Sequence, residues 1–284
     1  MKKFFYILSL FACVTLTMLV GCNGKKNGGG TPKPAPKPEQ TTLERVKAAG
    51  VLRIAIRSES PPFSFKDDDG NPRGFEVDMG FALAKKMGVR PDFIFVAVQD
   101  RMAQLQAGKV DCVMATLTAT RSRSKEIDFS IPYFEDQQRL MVKKDSSVQS
   151  YRDLGGKKIA AMEPSTNFVN LKVVSPDCTP VGVQNMANAI KLLDEGQVDA
   201  ITWDGVKLAA LAHEQGEAYR LAGEGFSIEP YCVGLPRNDS EFRYVVNDFL
   251  MDFWTSGQWA KSFHRWLGET PDVNPTFQMP VLPD

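Results

Sequence analysis

The chain has 284 residues and equal numbers of basic and acidic side chains, 34 of each, so its formal net charge at neutral pH is zero. This length allows one large domain or two ordinary domains with cores of their own. The balanced charge gives no reason to expect a nucleic-acid partner, and with only two widely separated histidines we expect no metal and no cofactor.

The N-terminal residues have the pattern of a secreted lipoprotein. Residues 1–21 combine a basic start with an apolar run that is short for a permanent membrane span, as in a signal peptide. The ending Leu-Val-Gly-Cys resembles a bacterial lipobox, so we expect a lipid on Cys22; a signal peptide followed by an incidental cysteine is the alternative. Residues 22–41, rich in glycine and then proline, predict an extended linker. The protein should therefore be extracytoplasmic and membrane-anchored, in the periplasm if the source has two membranes.

From residue 42 onward, short strand-like runs alternate with helical segments. The predicted helices are Thr42–Ala49, Phe75–Met87 and Arg101–Gln106. The predicted strands are Val51–Ile56 and residues 93–98 and 110–116. Gly50 and Gly88 follow the first two helices, as C-terminal caps often do. This alternation predicts an α/β fold with mainly parallel sheets.

Residues 112–123 (CVMATLTATRSR) carry the strongest chemical signal in the chain. The apolar run leads into three threonines at alternate positions, and Arg123 follows. Hydroxyl and backbone N–H groups can hold a small carboxylate, and a guanidinium can bind it through two hydrogen bonds. An ordinary strand followed by a solvated arginine is the alternative interpretation.

The pattern Leu-x-x-Gly-x-Val-Asp occurs twice, at residues 105–111 and 193–199. Five residues beyond the two aspartates come Thr116 and Asp204, at the predicted carboxyl ends of strands, where open α/β sheets bind ligands. The repeat indicates two similar units that face one ligand, with Arg123 near its anionic group and Asp204 near its cationic group. An α-amino acid has both groups. Chance recurrence of a common helix-to-strand turn is the alternative.

Several ordered motifs resemble those of a known family, the extracytoplasmic amino-acid-binding proteins of ABC importers (solute-binding family 3). The motifs are residues 74–87, 115–123, 127–134, 198–204 and 229–234. The resemblance covers residues 43–268 and implies a type II periplasmic-binding-protein fold, in which two lobes with mainly parallel sheets flanked by helices are joined by two hinge crossovers. It implies a first lobe at residues 42–136 and 231–284 and a second lobe at residues 137–230.

The resemblance also implies which residues bind the ligand. Some residues are expected to bind the groups that all amino acids share: Thr116, Thr118 and Arg123 the α-carboxylate, and Asp204 the α-ammonium. Ser165 and Thr166 are expected to add contacts from the second lobe. Arg57 and Arg101 make this chain similar to members that bind glutamate or aspartate. We therefore expect an acidic ligand, because a buried carboxylate needs a compensating cation. Solvation, or pairing with a protein acid such as Glu59, is the alternative for either arginine. We expect a monomer that delivers its ligand to an ABC permease.

Two other functions are compatible with the same fold. A periplasmic dehydratase acting on prephenate or arogenate would need a general acid in the cleft, and Glu163 is the candidate. A sensory receptor would bind the same ligand without transporting it. Because no established catalytic motif occurs, we expect a binding protein and not an enzyme.

Three cysteines follow Cys22 in the sequence. Cys112 lies within an apolar run and is expected to be a buried free thiol. A disulfide between Cys178 and Cys232 is possible in an oxidising compartment, and the sequence leaves it open.

Overall fold

The structure, a computed structural model, describes residues 40–268 of the chain. The predicted signal peptide, the predicted lipidation site at Cys22 and nearly all of the linker lie outside the described residues, as do residues 269–284. The helices are α1 Thr42–Ala49, α2 Phe75–Met87, α3 Arg101–Gln106, α4 Thr166–Val174, α5 Met186–Asp194, α6 Gly205–Glu214, α7 Ser240–Thr255 and α8 Gln258–Trp266. The strands are β1 Val51–Ile56, β2 Glu59–Ser60, β3 Ser64–Lys66, β4 Pro72–Arg73, β5 Arg90–Phe95, β6 Cys112–Val113, β7 Asp128–Asp136, β8 Gln138–Lys143, β9 Lys158–Met162, β10 Thr179–Val183, β11 Ala200–Asp204, β12 Tyr219–Leu221 and β13 Glu229–Leu235.

The first sheet has the strand order β5-β1-β6-β13-β7. β1 pairs in parallel with β5 and β6, whereas β13 pairs antiparallel with β6 and β7. Alternate residues of β1, Leu52, Ile54 and Ile56, are buried in one core with Phe75 and Leu83 of α2. This arrangement follows from the two-residue period of a strand and the helical stripe of α2.

The second sheet has the order β10-β9-β11-β8-β12 and repeats this design. β9 pairs in parallel with β10 and β11, and β8 pairs antiparallel with β11 and β12. Successive residues of β8 serve different cores: Met141 joins one apolar cluster, and Leu140 and Val142 join the other. Helices therefore cover both faces of this sheet.

The chain passes between the two sheets twice. β7 of the first sheet leads through Gln137 directly into β8 of the second, and residues 222–228 lead from β12 back to β13. These crossovers confirm the predicted two-lobe fold. In each sheet four strands run in one direction, as predicted, and the strand that enters from the other sheet, β13 or β8, runs in the opposite direction. The lobe boundaries at 136/137 and 230/231 stay a prediction.

Most of the predicted elements are present within two or three residues. α1 begins at a capping box of Thr41 and Glu44 and is followed by Gly50 in the left-handed conformation, which glycine adopts without strain. The strand predicted at residues 110–116 is limited to β6, because the chain turns out of the sheet before Thr116. Between residues 40 and 268, no helix is both long and apolar enough to span a membrane.

The three cysteines within the described residues are buried free thiols. Cys112 lies in β6, as the apolar run predicts. Cys178 belongs to a core of the second sheet, and Cys232 lies in β13 of the first. The disulfide that the sequence left open is therefore not formed.

Candidate functional site

All eight residues predicted to bind ligand line one cavity between the lobes. They are Arg57, Arg101, Thr116, Thr118, Arg123, Ser165, Thr166 and Asp204. Four residues that were not predicted complete the lining: Val98, Met162, Asn167 and Trp203. The structure thus brings together residues that are up to 147 positions apart in the sequence (57 to 204).

The cavity lies where strands of both sheets end. Arg57 follows β1, Thr116 follows β6, and Ser165 and Thr166 connect β9 to α4. Asp204 is the last residue of β11 and stands at the start of α6. The carboxyl ends of adjacent parallel strands share one edge of a sheet, so both lobes present polar side chains at the edge that faces the other lobe.

The repeated Leu-x-x-Gly-x-Val-Asp pattern has the same structural role in both lobes. Asp111 N–H donates to the Arg53 carbonyl, and Arg53 N–H donates to Asp111 Oδ2, both at 2.8 Å. Asp199 and Lys158 exchange the equivalent two bonds, also at 2.8 Å. Each aspartate therefore fixes the start of a strand against its parallel neighbour. The repeat is structural, and it sets the register that puts Thr116 and Asp204 at the cavity.

The loop after β6 is held by a buried carboxylate, that of Glu76. Thr116 has a φ of 46°, which is uncommon for a β-branched residue, and its N–H donates to Glu76 Oε1 at 2.6 Å. The hydroxyls of Tyr133 and Ser64 also donate to Glu76. Burial raises the pKa of Glu76, and the bonds from Tyr133, Thr116 and Ser64 oppose that rise. Glu76 thereby joins α2, β3 and β7 to this loop, which carries Thr116, Thr118 and Thr120 and is called the threonine loop below.

Replacement of Glu76 by alanine should lower the free energy of unfolding by about 3 kcal/mol, because three donors lose a buried acceptor. Glutamine keeps one acceptor oxygen and should be less destabilising. Denaturant unfolding, followed by circular dichroism, measures the effect. The exposed Glu214 at the end of α6 supplies the control, and a Glu76→Ala protein no less stable than the Glu214→Ala protein would refute the role of Glu76.

Arg123 lies at the start of a 3-10 turn, with its guanidinium directed back toward the threonines. Nη1 donates to the Thr118 carbonyl at 2.8 Å, and the Arg123 N–H donates to Thr120 Oγ1 at 3.2 Å. Burial lowers the pKa of Arg123, while the carboxylates of Glu229 and Asp204 oppose that decrease. The side chain is thus fixed by one nitrogen, and the rest of its planar group can bind an anion.

Arg101 is 5 % exposed and gives its hydrogen bonds to the backbone. Nε donates to the Val98 carbonyl, and Nη1 donates to the carbonyls of Ala115 and Thr116 at 2.7 and 3.0 Å. Burial, followed by repulsion from Arg123 and Arg57, lowers the pKa of Arg101 to about 9. Arg101 therefore supports the threonine loop and contributes positive charge to the cavity.

Arg57 is nearly as buried, with 9 % exposure, and its guanidinium makes one long bond, from Nη1 to Ser60 Oγ at 3.4 Å. The proposed alternative, pairing with Glu59, does not occur; the Glu59 carbonyl instead accepts a bond from Lys207 of α6. Within residues 40–268, neither Arg57 nor Arg101 forms an ion pair with a carboxylate. Two cations are therefore buried without an ion-pair partner, although the charges of Asp204 and Glu76 act favourably on Arg101.

Asp204 and Asn167 form the acidic side of the cavity. Asn167 Nδ2 donates to Asp204 Oδ1 at 2.8 Å, which leaves Asn167 Oδ1 buried and without a partner among the described residues. Gln138 supports this pair by donating from Nε2 to the Asn167 carbonyl. The sequence reasoning missed Asn167, and its position directly after Thr166 in the first turn of α4 was the only available signal.

Helix α4, beside the second sheet, also binds β13, the strand that returns to the first sheet. Ser165 caps α4 by accepting a bond from the Phe168 N–H. Thr166 Oγ1 and Asn170 Nδ2 both donate to the buried carboxylate of Glu229 in β13, each at 3.0 Å. No cluster of histidine, cysteine, aspartate or glutamate within the described range is arranged to hold a metal ion.

A cleft between two α/β lobes, lined by opposed charges from both, defines a two-lobe solute-binding protein. The chain belongs to the bacterial extracellular solute-binding proteins, family 3, whose model matches residues 52–269. This result confirms the resemblance at the level of the family. The family is described as solute-binding proteins, and the relative GlnH of Bacillus subtilis is named for binding, which agrees with the expectation of a binding protein and not an enzyme.

Individual relatives differ in the ligand that they are named for. The chain is 32% identical over 278 residues to the ABC transporter glutamine-binding protein GlnH of Bacillus subtilis, covering 95% of this chain and 99% of that one. It is 26% identical over 243 residues to the L-glutamate/L-aspartate-binding protein of Pseudomonas aeruginosa, covering 80% of each. Among solved structures, an ancestral arginine-binding protein bound to glutamine matches with a TM-score of 0.71 and 35% identity, over 78% of this chain and 99% of that chain.

Proposed function

We propose that this chain is the extracytoplasmic binding component of an ABC importer and that it captures an L-amino acid with an acidic side chain, glutamate or aspartate. The charge balance of the cavity is the observation that carries this proposal. Three guanidinium groups, of Arg57, Arg101 and Arg123, line it together with one carboxylate, that of Asp204.

The α-carboxylate and the α-ammonium, which all amino acids share, pair with one cation and one anion of the cavity. In this proposal the α-carboxylate binds the free edge of the Arg123 guanidinium and the hydroxyls of Thr116 and Thr118. The α-ammonium binds Asp204 from the other lobe. Ser165 and Thr166 add contacts at the start of α4, where the positive end of the helix dipole favours the carboxylate. Because the two halves belong to different lobes, the ligand favours the closed cleft.

Arg57 and Arg101 remain after this pairing, and they favour a ligand with a second carboxylate. The lowered pKa of Arg101 results from burial and from repulsion by the other two arginines. A side-chain carboxylate between Arg57 and Arg101 would relieve that repulsion. A neutral ligand would leave both cations without a carboxylate partner in the closed cleft, which disfavours its binding.

Glutamine is the competing ligand, because the relative GlnH is named for it. Calorimetry of the purified chain with glutamate, aspartate, glutamine, arginine and histidine distinguishes the ligands. We expect micromolar or tighter binding of an acidic amino acid, about 8 kcal/mol, and at least ~30-fold weaker binding of glutamine. Glutamine that binds as tightly as glutamate would refute the acidic ligand and leave the amino-acid-binding function intact.

Replacement of Arg57 by methionine should narrow the difference in affinity between glutamate and glutamine. The variant keeps an apolar stem but removes the cation, so glutamate should bind about tenfold more weakly, while glutamine should change little. The same calorimetric comparison measures the change. Arg90→Met, at the exposed start of β5, is the control. Equal losses for both ligands would mean that Arg57 does not contact the side chain.

The predicted lipid on Cys22 and the linker at residues 22–41 belong to the same proposal. A tether of this length leaves the monomeric binding domain free to collect ligand and to meet a permease in the same membrane. Sensing without transport remains distinguishable by experiment. Cells that lack this chain should lose high-affinity uptake of the ligand if it serves a permease, and keep that uptake if it serves only a sensor.

A further inference from the structure

Helix α6 begins at Asp204 without help from the Asp204 side chain. Asp204 occupies the N-cap position, where an aspartate usually accepts a hydrogen bond from the first turn, but no such bond is present. Its carboxylate instead lines the cavity and accepts a bond from Asn167. The first-turn N–H groups of a buried helix start need an acceptor, so another residue must supply it.

Asp136, the last residue of β7, supplies that acceptor from the other lobe. It is 4 % exposed, and its Oδ1 and Oδ2 lie 3.3 and 3.4 Å from the N–H nitrogen of Val206, the second residue of α6. Gln137 N–H donates to Oδ1 at 2.7 Å, and the Tyr231 hydroxyl donates to Oδ2 at 3.2 Å. Asp136 also directly precedes the crossover at Gln137, so one carboxylate connects the hinge to the helix that carries Asp204.

The groups around Asp136 are mostly acidic. Asp204 acts on it from the end of β11, Tyr231 of β13 donates a hydrogen bond to it, and Glu229 of β13 is its cross-strand neighbour. Burial, and then the charge of Asp204, raises the pKa of Asp136 to about 8. The pKa of Glu229 and that of Tyr231 are raised as well, with burial as the main cause and Asp204 as a contributor. The bonds that Asp136 accepts from Gln137, Val206 and Tyr231 oppose the rise in its pKa.

We propose that Asp136 is a positioning residue that caps α6 in place of Asp204, which keeps the Asp204 carboxylate available to the ligand. The inference rests on the proposed function. The Asp136 carboxylate is itself held by the bonds from Gln137 and Tyr231, and the positive end of the α6 dipole favours a carboxylate at this position.

The affinity for glutamate tests the positioning role. Asp136→Ala removes the acceptor and should weaken glutamate binding about tenfold, whereas Asp136→Asn keeps one acceptor oxygen and should recover most of that loss. Asp136→Ala protein that binds as tightly as wild type would refute the capping role. If alanine prevents folding, judged by circular dichroism, the asparagine variant decides: affinity near that of wild type supports the capping role, and a loss of about tenfold overturns it. Wild-type protein that binds no amino acid would instead refute the proposed function, and this inference would fall with it.

Discussion

Replacement of Arg123 by alanine should abolish the binding of every amino acid, acidic or neutral. The guanidinium is held by the Thr118 carbonyl and partly buried beside the threonine loop, so it is preorganised for the one group that all amino acids share. Removal of one partner from a buried, hydrogen-bonded charge pair costs roughly 3 kcal/mol or more, which is over 100-fold in affinity. Calorimetry with glutamate and with glutamine measures both losses.

Two further variants sharpen this test. Arg123→Lys keeps the charge but not the planar pair of donors and should recover only part of the affinity. Lys125→Ala, in the same 3-10 turn but exposed, should bind like the wild-type protein. Affinity retained by Arg123→Ala would remove Arg123 from the carboxylate site, and a loss confined to glutamate would move it to the side-chain pocket.

Replacement of Asp204 by alanine should cause a loss of similar size through the ammonium group. Asp204 is the only acid among the residues that line the cavity within the described part of the chain. Without it, the ammonium would enter a cleft with three arginines, so we expect at least ~100-fold weaker binding of glutamate. The exposed Asp177 of the same lobe provides the control substitution.

Glutarate distinguishes contact from general disruption, because it has both carboxylates of glutamate but no ammonium group. Wild-type protein should bind glutarate weakly, since Asp204 would stay buried without its partner. In the Asp204→Ala protein, glutarate should bind no more weakly than in wild type, while glutamate loses its advantage. Equal losses for both molecules would indicate that the substitution damages the site as a whole.

The helices, the strands and the residues that line the cavity could be predicted from the sequence. The contacts that these residues make within the cavity could be predicted less well. The helical stripe of α2 and the apolar runs were local signals, and the paired Leu-x-x-Gly-x-Val-Asp units marked corresponding strand ends. Since ligand sites of α/β sheets collect at those ends, the eight predicted residues meet in one cavity. Their roles as ligand contacts stay predictions.

The remaining features depend on contacts between distant segments, which local patterns do not encode. Arg101 gives most of its donors to the backbone of the threonine loop, and Glu76 fixes that loop from α2. Asn167 and Asp136 support Asp204 from two other elements, at separations of 37 and 68 residues (204 − 167 and 204 − 136). The mixed sheets likewise follow from the crossovers, which the alternation of strands and helices does not reveal.

The crystal structure of the chain with bound L-glutamate tests the central claim most directly. The account predicts that the α-carboxylate lies within about 3 Å of the Arg123 guanidinium and the ammonium within about 3 Å of an Asp204 oxygen. The side-chain carboxylate should lie between Arg57 and Arg101. An α-carboxylate that contacts neither Arg123 nor the threonine loop, or an ammonium held away from Asp204, would contradict the proposal that the two lobes bind the two charged groups of the amino acid.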